Sequence, residues 1–424
     1  MKRVNIKSIL IILLLVAESY HIHAQKLVSN PFIGHSTKNE LRVWCMFKNA
    51  DSVYLKIDNQ EAKTFFWHKE QCYKKYLPII CTFSNLNENT DYDISYSFDN
   101  RNYYPLITAK TGHDTISDFQ FLAGSCAFIP TGINRIVKPF ADIDIFNHMQ
   151  RDTAEMMLWL GDNLYYIFNY KTYKGQLKNN IKARNKRKLS SFLQSKQQYA
   201  IWDDHDYGSN NSDRLFVAKQ SSLHVFQQFW PNPIQKTNNY YTFKKQDIQF
   251  FMLDDRYHKY GDDVVLGKSQ LDWLKNELLL SNATFKFICI GMQALNPLST
   301  KECLYKSKAE YTSLIEFIKQ NKIKGIVFLS GDRHHAELMR IQEENLYPLY
   351  DFTTSPLTMY PIKISKRSRE FNNPYSVANT HYASYNYGKI SISGKNEDRI
   401  CTIELKNKKG KTIWTYAIKA EELM

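Results

Sequence analysis

The sequence contains no Cys-x-x-Cys pair among its seven cysteines, which removes zinc-ribbon and thioredoxin chemistry from consideration. It has no internal repeat and no low-complexity linker, so solenoids and repeat arrays are excluded. Glycine is sparse, 15 residues against 28 tyrosines, which gives polar-tipped bulk in place of flexible loops. Beyond the run Ile9–Ala17, no apolar stretch approaches the length of a membrane-spanning helix. No recognised nucleic-acid reading module is present. A formal charge of +14 nevertheless suits an anionic partner: phosphate esters, nucleic acid or acidic lipid. A merely basic surface would give the same number.

What is present begins with a leader. Lys2 and Arg3 precede the short apolar run, and the segment closes at Ala24 before Gln25. This is the pattern of a secretory signal peptide, so the mature chain is expected to be exported, periplasmic or secreted, with no membrane span. No cysteine follows the run closely, so a lipid anchor is not indicated. Export permits disulfides, and Cys72–Cys81 and Cys45–Cys81 are both open as pairings. Cys126 stands apart, because it follows Gly124-Ser125 at the end of an apolar run.

At 424 residues two domains are expected, with boundaries at 25–113 and 114–424. From Leu27 to His113, short alternating runs such as Ser52–Ile57 and Tyr92–Phe98 are separated by turn clusters. They predict a small fibronectin-like β-sandwich. The stretch Leu86–Tyr92 has the look of the corner where a tyrosine closes the turn between two strands. From Asp114 onward buried-strand runs alternate with helical stretches, Ser269–Leu280 being the clearest helix, with Leu271, Leu274 and Leu278 on one face. The second domain is therefore α/β or a closely related layered sandwich. The basic stretch 171–198 predicts one or two surface helices that are either a solvated face or an aid in drawing anions toward the site.

Five predicted strands lead into polar residues: Cys126, Asp162, Asp203 to Asp206, Asp254 to Arg256, and Asp332 to His335. Layered α/β proteins build their sites at the carboxyl ends of strands. Ala200–Asn211 is the densest of these, with two carboxylates, a histidine, a third carboxylate and then amides. Such a run is poor material for a regular helix and suits a ligand-bearing loop. Any one Gly-Asp could be a simple turn; five convergent strand ends predict a metal site. Carboxylates and an amide suit hard ions, while a thiolate, a phenolate and an imidazole suit a transition metal. Closely spaced metals can clamp a phosphoryl group and activate water. His205 is then placed to stabilise the transition state or protonate the leaving group, and Arg256 to hold phosphate oxygens. His258 and His335 are assigned to the surface or to supporting positions.

Taken in order, Gly-Ser-Cys at 124–126, Gly-Asp-x-x-Tyr at 161–165, Trp-Asp-Asp-His-Asp at 202–206, Asp-x-Arg at 254–256 and Gly-Asp-x-His at 331–334 resemble the alkaline phosphatase D (PhoD-like) family of metallophosphoesterases. The resemblance runs from about residue 26 to the C-terminus. It implies an αββα catalytic domain, a ferric ion (Fe3+) with calcium ions (Ca2+), and hydrolysis of phosphate mono- or diesters. By the same resemblance Cys126, Asp162 and Tyr165 would bind iron, and Asp203, Asn210, Asp332 and His334 would complete the cluster, with Asp204 a further candidate. Two departures stand out. Tyr166 occupies a position where the family has an acid, and competes with Tyr165 for the ligand role. Lys259 stands where the family has a second arginine.

Three other readings share the same residues. A purple-acid-type phosphatase also joins a sandwich to such a domain, but expects an Asn-His pair and a His-x-His where Asp204-His205 and Asp332-Arg333-His334 stand. A non-catalytic protein could keep the fold and bind glycans or polyanions. Nucleic-acid binding through 171–196 would show steep salt dependence.

Overall fold

The computed structural model describes residues 24–424 except 59, 132–141, 167, 235–236 and 396–397. Residues 1–23, and with them the expected leader, lie outside the described residues.

Short strands, some alternating in sequence as in Ser52–Ile57, dominate the first part of the chain. Seven of them form the N-terminal unit: β1 (Lys26–Ser36), β2 (Glu40–Lys48), β3 (Ser52–Ile57), β4 (Lys63–Phe66), β5 (Tyr76–Ser84), β6 (Asp91–Ser97) and β7 (Tyr104–Lys110). They pair as two antiparallel sheets, β1-β2-β5 and β4-β3-β6-β7. Between the sheets Val43, Cys45, Val53, Leu55, Ile79 and Ile94 form the core. The expected tyrosine corner is there: the Asn87 backbone N–H donates to Tyr92 Oη at 2.7 Å. All seven cysteines are buried free thiols, so neither candidate disulfide is formed.

Mostly apolar runs give largely buried strands. Three of these, β8 (Phe119–Gly124), β9 (Met156–Leu160) and β10 (Gln197–Ile201), lie parallel as neighbours. Their sheet is completed by β17 (Asn386–Ser393), β18 (Ile400–Asn407) and β19 (Thr412–Lys419), in the order β10-β9-β8-β17-β18-β19. A second six-stranded sheet has the order β11-β12-β13-β14-β16-β15. Its members are β11 (Tyr241–Lys245), β12 (Ile248–Met252), β13 (Phe285–Cys289), β14 (Ile326–Ser330), β15 (Glu337–Ile341) and β16 (Leu349–Thr353). The two sheets pack face to face through Phe121, Leu158 and Ile201 on one side and Phe250, Phe287 and Val327 on the other.

Helices cover both outer faces. α1 (Ile145–Arg151), α2 (Tyr173–Arg184), α3 (Arg187–Gln194) and, after the single turn α4 (Asp204–Tyr207), α5 (Lys219–Phe229) lie on the first sheet. α6 (Lys268–Leu280) and α7 (Lys308–Gln320) cover the second. Leu271, Leu274 and Leu278 of α6 are buried together as their spacing predicts. The architecture is an αββα sandwich preceded by a β-sandwich.

The two units share a core. Phe32, Trp44 and Met46 of the N-terminal sandwich belong to the same apolar cluster as Trp159, Phe192 and Trp230. Arg184, expected on a solvated helix face, is instead buried at this seam, its guanidinium 4.3 Å from the Trp230 ring centre. Its Nη2 donates to the Phe229 carbonyl.

Candidate metal centre

Because β8, β9 and β10 are adjacent and parallel, Cys126, Asp162 and Asp203 emerge along one edge of the first sheet. From the second sheet β12 delivers Asp254 to Arg256, and β14 delivers Asp332 and His334. The backbone turns sharply here. Cys126, Asp162, Asp332 and His334 have φ of 57°, 55°, 62° and 56°, a left-handed region that costs a non-glycine residue about 1–3 kcal/mol. Four such residues meeting at one place mark a site whose geometry the surrounding packing imposes. Two glycines make room for it. A Cβ on Gly161 (φ 83°) would lie 2.5 Å from Asp203 Cβ, and one on Gly291 would lie 2.8 Å from Asp203 Cγ.

Asp162 is the hub. Three groups of side chains bring ligand atoms within 4.8 Å of one another: Cys126, Asp162 and His334; Asp162, Asp204 and His205; Asp162, Asp203 and Asp332. Tyr165 Oη donates to Asp162 Oδ2 at 2.6 Å and lies 3.3 Å from His334 Nε2. Cys126 Sγ lies 3.6 Å from Asp162 Oδ2. Burial, then the neighbouring carboxylates, push Asp162 well above the carboxylate range. Burial and then the charge of Asp162 do the same to the Cys126 thiol and the Tyr165 phenol. Burial outweighs the Arg256 charge and raises Asp203 well above its ordinary value, and Asp332 is pushed up to about 6 by burial and then Asp204. So many buried acids can ionise together only beside added positive charge. Asp203 Oδ2 and Asp204 Oδ1 are buried and accept no hydrogen bond among the described residues. The donor set therefore fits metal ions: thiol, phenol and imidazole on one side of Asp162, carboxylates on the other.

The other expected residues sit as follows. His205 is half-buried at the cavity wall. Its backbone N–H donates to Asp162 Oδ1, and its ring lies 4.1 Å from that of Tyr165. Tyr166 faces away, taking a hydrogen bond from Asn180 within the helix-side core, so Tyr165 is the tyrosine at the cluster. Asn210 is exposed on the rim and its amide donates to Asn211 Oδ1. Arg256 is completely buried. It is ion-paired with Asp203 and, at 2.9 Å, with Glu302, and it does not line the cavity, whereas Lys259 does. His335, placed among surface or supporting residues, is buried and bonded to Glu337. The Asp203–Tyr207 run is not a plain loop: Asp203 and Asp206 cap the single turn α4 reciprocally.

Before this cluster opens a cavity of about 930 Å³, lined by Asp162, Asp204, His205, Asp332, Arg333 and His334 among others. No residue of 171–198 lines it.

The profile of the family described as PhoD-like phosphatase matches residues 167–400, more than half of the chain. The chain belongs to the PhoD-like phosphatase family. It is thereby a phosphoesterase of a metal-dependent family, acting on phosphate esters. A solved structure titled "Structure of PhoD" matches with a TM-score of 0.74 at 14% identity, covering 92% of this chain and 88% of that one. At that identity the match speaks for the fold, including the N-terminal sandwich. A Vps29 mutant from Entamoeba histolytica matches with a TM-score of 0.26 at 7% identity, over 71% of this chain and 99% of its own, and carries no argument. No curated protein matches in sequence. The PhoD-like profile covers Asp203 to Asp206 and Asp332 to His334 but begins after Cys126, Asp162 and Tyr165, which join the site on geometry.

The bracing roles of several residues of this PhoD-like site are not legible in the sequence. Asp206 accepts from the Asn163 backbone and amide and from the Asp203 N–H; burial pushes it up to about 8. It is a brace rather than a ligand. Asp254 braces as well, accepting from Trp202 Nε1 at 2.7 Å. Ser355 holds the His334 backbone N–H at 3.0 Å. Arg333 is fixed by Gln293, Ser299 and Glu370 at 2.9, 2.8 and 2.7 Å. Asp206, Asp254 and Arg333 lie within polar strand ends that the sequence marks, whereas nothing local marks Ser355 or Gly291.

Proposed function

We propose that the protein is an exported alkaline phosphatase or phosphodiesterase that hydrolyses phosphate mono- or diesters with metal-activated water. The observation that carries this reading is the convergence of three groups of ligand-type side chains on Asp162. Cys126, Tyr165, Asp162 and His334 would hold a ferric ion, and Asp203, Asp204, Asp332 and Asn210 calcium; bound together they supply Lewis acidity and a nucleophile at neutral pH. The chain's own residues do the rest. The Asp162 carboxylate fixes His205 through its backbone N–H, which sets the imidazole at the cavity wall to give a proton to the departing ester oxygen. Arg256 neutralises and aligns Asp203 from beneath, while Lys259 and Arg333 hold phosphate oxygens in the cavity. Burial of the cluster excludes bulk water and strengthens each of these contacts.

Export rests on Lys2, Arg3 and the run Ile9–Ala17, with cleavage after Ala24; N-terminal sequencing of the processed protein checks it. The enzymatic reading is tested by elemental analysis of the mature protein with assays on chromogenic mono- and diesters. Iron and calcium should be found, and both activities should fall at least about 100-fold in Cys126→Ala and Asp162→Ala. A folded wild type free of metal and inactive on both esters would sink it.

A further inference from the structure

We propose that the cavity rim, residues 360–371, docks on an anionic lipid surface, so that the metal centre works on phosphate esters presented at a membrane. The segment Tyr360-Pro361-Ile362-Lys363-Ile364-Ser365-Lys366-Arg367-Ser368-Arg369-Glu370-Phe371 carries four cations and one acid. That acid is turned inward: Glu370 is buried on Arg333 at 2.7 Å. The cations remain outside, and Lys363, Lys366 and Arg367 make no side-chain ion pair or hydrogen bond among the described residues. Interleaved with them, Tyr360, Ile362 and Phe371 are 42%, 42% and 46% exposed.

The backbone beneath is held. The Ile362 N–H donates to the His334 carbonyl at 2.8 Å, the Phe371 N–H to Ser368 at 3.1 Å, and Arg369 Nε to the Leu298 carbonyl at 3.2 Å. The exposed side chains are thus presented by a braced strap next to a ligand residue. Tyr360, Ile362 and Lys363 line the cavity itself. Asp213 lines the same cavity, and shortly after it Leu215 and Val217 are 68% and 85% exposed. Exposed apolar groups thus stand on the rim segment itself and, in the chain, within four residues of a second lining residue.

Cations alone would suit any polyanion. A soluble polyanion has no use for the aliphatic side chains of Ile362, Leu215 and Val217, and leaving them in water gains nothing. An anionic bilayer uses both kinds: cations at the headgroups, apolar and aromatic side chains just below. Lys and Arg stems bury along that boundary while their charges stay wet. The chain has no helix long and apolar enough to cross a membrane among the described residues, so this is contact with a surface. Only the statement that the docked enzyme acts on membrane-borne esters rests on the proposed phosphoesterase reading.

The test is sedimentation of the full mature protein with vesicles of phosphatidylcholine alone or rich in phosphatidylglycerol, across a salt series. Wild type should sediment with the phosphatidylglycerol vesicles and be released by salt. Each cation near the surface is worth about fivefold, so Lys366→Glu with Arg367→Glu should weaken binding on the order of 25-fold or more. Phe371→Ser should weaken it as well, and all variants should hydrolyse a soluble chromogenic diester as wild type does. Absence of vesicle binding by wild type, or binding that ignores all three substitutions, overturns the proposal. So does tighter binding to a soluble oligonucleotide that Phe371→Ser leaves intact, which assigns the strap to a polyanion. Vesicle binding is read without turnover, so a wild type that binds but fails to hydrolyse the soluble diester would count against the enzymatic reading alone.

Discussion

Arg256 separates two roles that look alike in sequence. Asp-x-Arg reads as a phosphate holder, yet the guanidinium has no exposure and faces Asp203, Asp255 and Glu302. Removing one member of a buried charge cluster leaves its partners uncompensated, at about 3–5 kcal/mol. Arg256→Gln is therefore expected to lower the urea-unfolding free energy by about that much and to loosen Asp203, reducing kcat and metal content together. A variant of wild-type stability with only a raised KM would show that the guanidinium reaches substrate after all. Lys259, paired with Glu302 at 2.7 Å on the cavity side, is the cation positioned for that task. The backbone carries equal weight at this scale. Gly161→Ala would put a Cβ against Asp203 at a left-handed residue, so it should cost stability and metal together.

At the scale of elements, the seam between β1 and the catalytic sandwich is the most informative feature. His35 of β1 donates its backbone N–H to the Pro231 carbonyl at 2.7 Å, and its Nδ1 lies 3.3 Å from Tyr199 Oη on β10. Burial, with Lys245 and Arg42 nearby, lowers this imidazole to about 3, below the ordinary 6.5. The folded protein thus keeps His35 neutral where the unfolded chain takes up a proton. Stability is intact above about pH 6.5 and falls as the pH drops toward 3; by pH 5 the loss is about 2 kcal/mol. His35→Phe has no proton to take up, so the difference in unfolding free energy between pH 7.5 and pH 5 should shrink by about that amount. An unchanged difference would place the acid sensitivity elsewhere. The stretch 171–198 illustrates the limit of periodicity here: it does form two helices, but Arg184 is buried over Trp230, because the sandwich supplies a second apolar face that the helix pattern alone does not reveal.

For the whole molecule, the shared cluster of Phe32, Trp44, Met46, Trp159 and Trp230 means the two units are one cooperative structure. Thermal unfolding followed by tryptophan fluorescence and by far-ultraviolet circular dichroism should give coincident transitions. A chain starting at Asp114 should be insoluble or markedly destabilised, since it exposes the Trp230 face that Phe32 and Trp44 cover. Two separated transitions, or a soluble active fragment, would make the sandwich a detachable module.

The sequence by itself determined the class of each element and the identity of most of the chemistry. Alternation marked sandwich strands such as β3 and β6, mostly apolar runs marked β8 to β10 and β12 to β14, and the polar residues just past those runs are the ones that gather around Asp162. Strand periodicity and side-chain chemistry are local properties, so they survive in one dimension. Which residues touch was decided only by tertiary structure. The parallel order β10-β9-β8 puts Asp162 between Cys126 and Asp203. Packing on Asn180 turns Tyr166 away and leaves Tyr165 at the cluster. Arg256 is buried because its charge partners Asp203 and Glu302 come from 53 and 46 residues away in the chain, and Asn210 is exposed because its loop lies on the rim. Burial, left-handed backbone and the company of other charges are properties of the packed molecule, and they set what each candidate ligand can do.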